Sequence, residues 1–332
     1  MAQESAEGLV ELGNARAASG DYAAAAAFYE RALAVDSKYL GAHLNYALAL
    51  TALGRLREAW AEAEWRFDLD ASMREFIRKP PIPRWRGEAM EDELIVLAEQ
   101  GAADMFQYLR FLPLARERVG AVGLMCPPKL HRLVAESFPS VELLGWDKPV
   151  TWSDYVAFVP LLSLPHAMAL DAERIPHEPY LKAKAGGKPE KVGIVWRSGA
   201  FGAEADCRLE DLRPLCDSGR ALVSLQEQPT REEAALLRSW GAEERGSSFT
   251  DYADGAAALR SVQALVTVDG PFAHLAGALG TRVHLLLNEP ADVRWMSGVE
   301  DTLWYPSMRL HRKRRDEPWS APVRRSAERL RG

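Results

Sequence analysis

Three ionisable residues sit where a short apolar strand gives way to a helix, the place where a side chain of a parallel sheet can meet a ligand. Asp269 and His274 share one such junction. The apolar run 264–268 is broken by Asp269-Gly270-Pro271, residues 272–279 place small and apolar side chains at helical spacing, and Gly280 stops them. Residues 283–287 then read as a second buried strand. Strand, tight turn, helix and strand form a parallel-sheet unit whose turn opens on the carboxyl edge, where open α/β sheets bind ligands. The helix amino terminus offers free N–H groups and the positive end of a dipole, which suits a phosphate. Asp104 occupies the other junction, after the strand-like run 93–98 and the segment Glu99-Gln100-Gly101-Ala102-Ala103. Spacing alone also describes an N-cap aspartate, a packed histidine and a first-turn carboxylate.

The elements that must carry these residues are legible along the chain. Gly54, Leu56 and Ala59 recur 34 positions after Gly20, Tyr22 and Ala25, and Leu12, Gly13, Tyr29, Ala32 and Leu33 complete the tetratricopeptide pattern. Two helix pairs over residues 1–68 are expected, with Gly20 and Gly54 in the turns. Two repeats bury little by themselves, so they should lean on the adjoining domain through Trp60, Trp65 and Phe67, leaving the concave face as a docked cap or a partner surface. Residues 69–92 read as an extended, proline-rich linker, with Trp85 pinning it to the next domain. Strands at 93–98, 121–126, 141–144 and 155–159, with a helix at 128–138, make a first Rossmann-like domain over residues 93–185. A polar hinge at 182–191 leads into a second such domain over residues 186–332, with strands at 192–196, 221–226, 264–268 and 283–287 and a last helix at 319–330.

The run Val268-Asp269-x-x-x-Ala273-His274-Leu275-Ala276-Gly277-Ala278-Leu279-Gly280, followed by a strand and by Arg294-Trp295 and Trp304-Tyr305-Pro306, resembles the donor-side signature of the heptosyltransferase-like family 9 glycosyltransferases. More narrowly it is similar to the bacterial branch in which tetratricopeptide repeats precede that domain. Glu99-Gln100-Gly101-x-x-Asp104 and Ser224-Leu225-Gln226 extend the resemblance to most of the chain. It implies a GT-B arrangement of two Rossmann-like domains and inverting transfer of a sugar from a nucleotide-sugar donor to a glycan, lipid-linked or protein acceptor. Asp104 aligns with the catalytic base. Asp269, Gly270, His274, Arg197, Arg208 and Gln226 are the implied donor-side residues, and Gln100, Gly101 and Trp295 support the cleft. Neither a metal nor a resident cofactor is implied, the nucleotide sugar being the substrate.

Several positions depart from the family pattern. Ala103 replaces a glycine, Glu227 a lysine, and Gly270-Pro271 a hydroxyl residue and an N–H donor; the loop 197–208 is poor in hydrogen-bond donors. Landmarks of the fold persist while donor segments change, which also suits a degenerate pseudoenzyme, a repeat scaffold or nucleotide-binding interaction protein.

Bulk properties narrow the classes. The 332 residues, 48% hydrophobic and 27% charged, suit a globular protein of two or three domains. A net charge of −6 argues against a dedicated nucleic-acid binder, and the basic stretch 309–315 reads as a solvated face. Three cysteines without C-x-x-C pairing indicate neither a disulfide framework nor a zinc site, and no signal-peptide pattern or membrane-length apolar run is present. A cytoplasmic protein is expected.

Overall fold

The fold is described from a computed structural model, covering residues 5–184, 189–198 and 206–331. The alanine-rich amino-terminal part forms α1 (Ala6–Ala18), α2 (Tyr22–Val35), α3 (Leu40–Ala52) and α4 (Leu56–Glu62). Ser5 and Asp21 cap the first two helices by accepting from the backbone of Gly8 and Ala24. Gly20 and Gly54 take positive φ values of 81° and 72° in the two turns, as the repeat pattern requires. Gly13 has the other constraint typical of such packing, since a Cβ there would lie 2.4 Å from the Tyr29 ring.

The stretch expected to be wholly extended begins with a helix, α5 (Ala71–Arg78). Asp70 caps it through the Met73 N–H, and Phe76 packs on Phe67 with ring centroids 6.3 Å apart. The prolines act only beyond it. Pro83 accepts from the Phe158 N–H at 3.0 Å and Trp85 donates its own N–H to the Phe158 carbonyl at 2.8 Å, so the linker runs along the edge of a sheet. Trp85 is fully buried there.

That sheet contains β1 (Glu93–Leu97), followed by α6 (Ala102–Tyr108) and α7 (Leu112–Arg116), then β2 (Ala121–Cys126), α8 (Pro128–Ser137), β3 (Val141–Gly145), β4 (Ala157–Pro160) and α9 (Leu164–Ala167). Its strands are all parallel in the order β3-β2-β1-β4. The second half comprises β5 (Lys191–Val195), β6 (Leu222–Ser224), α10 (Arg231–Ser239), β7 (Glu243–Glu244), α11 (Tyr252–Leu259), β8 (Val262–Val268), α12 (Pro271–Ala278), β9 (Val283–Leu287), β10 (Met308–Arg312) and α13 (Ser320–Arg331). Its parallel sheet has the order β10-β9-β8-β5-β6-β7, the doubly wound Rossmann order, so loops diverge on either side of the β5/β8 boundary.

β10 lies outside the strands expected from the sequence. The solvated face expected of the basic stretch holds for Arg314 and Arg315, which are exposed, and Arg309 pairs with the exposed Asp301 at 2.6 Å, but Arg312 is tied in, donating to the Trp295 and Met296 carbonyls at 2.7 and 2.5 Å. Met308 and Leu310 put one face of the strand on the core, with Arg312 following them on that face at the strand's end, and Arg309 shares the other face with buried His311.

The repeats touch both halves. Trp60 donates to the Tyr108 hydroxyl at 3.2 Å and meets Phe111 edge-on, while Gly54 approaches Met296 in the second half. Phe67 receives Arg84 of the linker over its ring, whereas Trp65 stacks on His43 at 3.9 Å within the repeats themselves. The repeats are therefore a docked part of the molecule rather than a free arm.

Candidate active site

An open cleft with about 470 Å³ of empty space lies at the β5/β8 boundary of the second sheet. Its walls are the chain leaving β5 at Val195, Arg197 and Ser198, the Gln226-Glu227 segment after β6, Thr267 and Val268 of β8, Tyr252 of α11, and the start of α12. Sequence dictates this local shape in two ways. Gln226 uses its side-chain carbonyl to accept from the N–H groups of Trp196 and Arg197 at 3.2 and 3.0 Å, holding the loop after β5 in place. Gly270 lets the β8 turn come close, because a Cβ there would lie 2.4 Å from Ser198 Cβ. Pro271 occupies the first turn of α12, where its missing N–H breaks no helical bond. A neighbouring depression shares Glu227 and Tyr252 and adds Lys129 of α8, so the opening is bordered by both halves.

Charge in this cleft is largely compensated. Arg197 pairs with Glu233 at 2.5 Å, and Glu233 also accepts from the Trp196 indole at 2.8 Å. Burial alone would raise the Glu233 carboxyl, but the Arg197 and Thr230 hydrogen bonds hold it below its ordinary value. Arg208 lies outside the cleft walls, its side chain 82% exposed and 3.7 Å from Asp211. The middle of the donor-poor loop, residues 199–205, lies outside the described residues.

Beneath the turn is a second, buried layer. Asp269 is 5% exposed and accepts from the Trp295 indole at 2.7 Å, with its other oxygen 3.7 Å from His274 Nε2. His274 is completely buried, its Nδ1 2.9 Å from the Tyr305 hydroxyl and its ring stacked on Trp295. Burial pushes the Asp269 carboxyl up to about 6 despite nearby Arg294, and drives His274 well below the usual imidazole value. His274 therefore stands under the cleft rather than on its wall.

Asp104 is in the first turn of α6, with Gly101 as N-cap and Gln100 at a left-handed φ of 63° before it. Both preceding residues are exposed and form the turn, while Ala103 is buried. The Asp104 carboxylate meets Arg294 at 3.0 Å. Arg294 also holds Asp292 and Gln107, each at 3.0 Å, and precedes the tryptophan bound to Asp269. Asp104, from the first half, is thus joined to the Asp269 layer of the second. Among the expected residues, Gln226, Gly270 and Arg197 meet at the cleft; Asp269, His274 and Trp295 meet below it. Sequence reasoning does not single out Arg294, Glu233, Thr267 or Tyr252 as site residues. Two of them carry a signal: Arg294 stands beside Trp295 in the donor-side run, and Glu233 closes the Thr230-x-x-Glu233 capping box.

The described residues contain no helix long and apolar enough to cross a membrane, and the three cysteines are free. A tetratricopeptide-repeat family model matches residues 16–62. Protein FlbA of Caulobacter vibrioides is 28% identical over 332 residues, covering 86% of this chain and 54% of that protein, so the chain spans about half the length of the curated relative it matches. Among solved structures, E. coli ADP-heptose LPS heptosyltransferase II superposes with a TM-score of 0.50 at 14% identity, over 72% of this chain and 97% of that one. E. coli heptosyltransferase WaaC with ADP-2-deoxy-2-fluoro heptose gives 0.50 at 11% identity, over 71% and 98%. Tetratricopeptide repeats in this chain therefore precede an α/β part with the GT-B-like fold of the heptosyltransferases.

Proposed function

We propose that this protein is an inverting glycosyltransferase that moves a sugar from a nucleotide-sugar donor to a glycan, lipid-linked or protein acceptor in the cytoplasm. The observation that carries the reading is the cleft at the β5/β8 boundary, with Asp104 of the opposite half tied to its underside through Arg294. In this reading Asp104 takes the proton of the acceptor hydroxyl while the acceptor oxygen forms its bond to the anomeric carbon. The bond from that carbon to the diphosphate breaks on the opposite face, and the electron pair leaves with the nucleoside diphosphate. The α12 amino terminus faces the departing charge. Donor binding here needs no resident cofactor, and the repeats are the surface beside which an acceptor is presented.

Calorimetric titration with a panel of nucleoside diphosphates and nucleotide sugars tests this. Binding is expected, weakened about tenfold by Gln226→Ala, which removes the acceptor of two loop N–H groups. Asp104→Asn should keep that affinity and lose turnover by roughly 100-fold or more. Silence across the panel from folded protein would sink the reading and favour the scaffold alternative.

A further inference from the structure

Arg294 belongs to the turn after β9 in the second half, yet its guanidinium reaches α6 of the first. There it meets Asp104 Oδ1 and Gln107 Oε1, both at 3.0 Å. These two residues are three apart and share one face of the helix. On its own side Arg294 Nε holds Asp292 at 3.0 Å. The Arg294 side chain is 15% exposed and that of Asp104 26%, so their attraction is screened less than that of a surface pair. The crossing is answered from the same segment. Arg110, buried, donates to the Trp304 carbonyl of the second half at 2.7 Å and to the Gln107 carbonyl at 2.8 Å. Arg110 ties the halves through backbone carbonyls, whereas Arg294 reaches the one carboxylate in the first turn of α6.

We propose that Arg294 is the positioning residue of the transfer: it holds the Asp104 carboxylate in register with the second half's cleft. This rests on the reading of Asp104 as the base. A lysine would keep the charge but not the planar fork that serves Asp104, Gln107 and Asp292 at once.

The test uses the full chain, with donor affinity from calorimetry and turnover of the bound nucleotide sugar read separately, for Asp104→Asn, Arg294→Gln, Arg294→Lys and the Asp104→Asn/Arg294→Gln pair. Arg294→Gln should lose roughly 100-fold in turnover with donor affinity within about threefold, Arg294→Lys should recover about tenfold of that, and the pair should be no worse than its worse member. Wild-type turnover in Asp104→Asn would remove the base reading, and this inference with it. With that loss established, the inference alone is overturned by normal turnover in Arg294→Gln, by a loss confined to donor affinity, or by losses that multiply in the pair. Amide exchange gives a readout independent of turnover: residues 102–108 should exchange about tenfold faster in Arg294→Gln and be restored by lysine, and unchanged exchange there would equally overturn it.

Discussion

The two sheets have the same kind of crevice at their carboxyl edges and use it in opposite ways. In the second half the crevice between β5 and β8 stands open as the candidate donor cleft. In the first half the corresponding crevice, between β1 and β4, receives charged side chains from the end of the helical region. Arg66 reaches in from the end of the helical region, pairs with Glu99 after β1 at 2.7 Å and donates to Ser163 after β4 at 2.8 Å. Glu64 accepts from Ser163 at 2.8 Å and also pairs with Arg84 of the linker. Burial alone would raise the Glu64 carboxyl, and the two guanidinium groups hold it below its ordinary value. An open sheet offers its crevice to whatever has complementary charge and shape. Here one crevice is left for a ligand and the other became the socket of a structural domain, which lets two short repeats be stable without neighbours of their own.

Removing an arginine from each crevice should separate the two uses most strongly. Arg66→Ala leaves Glu99 and Glu64 buried without their shared cation and should cost roughly 3–5 kcal/mol in denaturant unfolding, with loosening of the repeats. Arg197→Ala, at the more exposed pair with Glu233, should cost about 1 kcal/mol or less. Equal losses would break the contrast between socket and cleft.

The buried layer under the open crevice gives the next largest effect. The Asp269 carboxyl titrates at about 6 in the fold, above the ordinary value of 3.8, so the native state holds its proton where the unfolded chain has released it. Stability should therefore fall as pH rises from about 4 to 6, by about 3 kcal/mol at most from this group. Asp269→Asn, which mimics the protonated form, should flatten that slope in thermal unfolding across the window; an unchanged slope would show that burial does not govern this carboxyl.

The smallest effect sharpens what the cleft is for. Glu227 borders both the main cleft and its neighbouring depression. If a diphosphate lies there, Glu227→Lys should tighten nucleoside diphosphate binding several-fold, about 1 kcal/mol, and less at high salt. No change, or weaker binding, would place the phosphates elsewhere.

Much of the fold was legible because it depends on local pattern. The 34-residue recurrence of Gly20 and Gly54 anticipated both left-handed turns, and β-branched apolar runs located β1, β2, β5, β8 and β9 within a few residues. Failures came where tertiary partners overrule local signals. Helix α5 hides among residues whose composition reads as linker and is stabilised by Phe67 from the repeats. β10 hides in an arginine-rich stretch because its charges are absorbed by Glu300, Asp301 and the turn at Trp295. Of the candidate site, residues adjacent to a strand end were findable, and Gln226 and Gly270 do border the cleft. The place of His274 was not, because its neighbours Trp295 and Tyr305 lie 21 and 31 positions away in sequence.

Periodicity and turn chemistry, which act over a few residues, account for the helical repeats, the alternation that builds two parallel sheets, and the strand-to-helix junctions bearing Asp104 and Asp269. Packing of the sheets against each other and the repeats sets the rest: that Arg66 enters one crevice, and that Arg294 meets Asp104 from the other half. Such pairings join residues 33 and 190 positions apart, and their partners are chosen by burial and charge once the sheets are packed, with no local pattern to announce them.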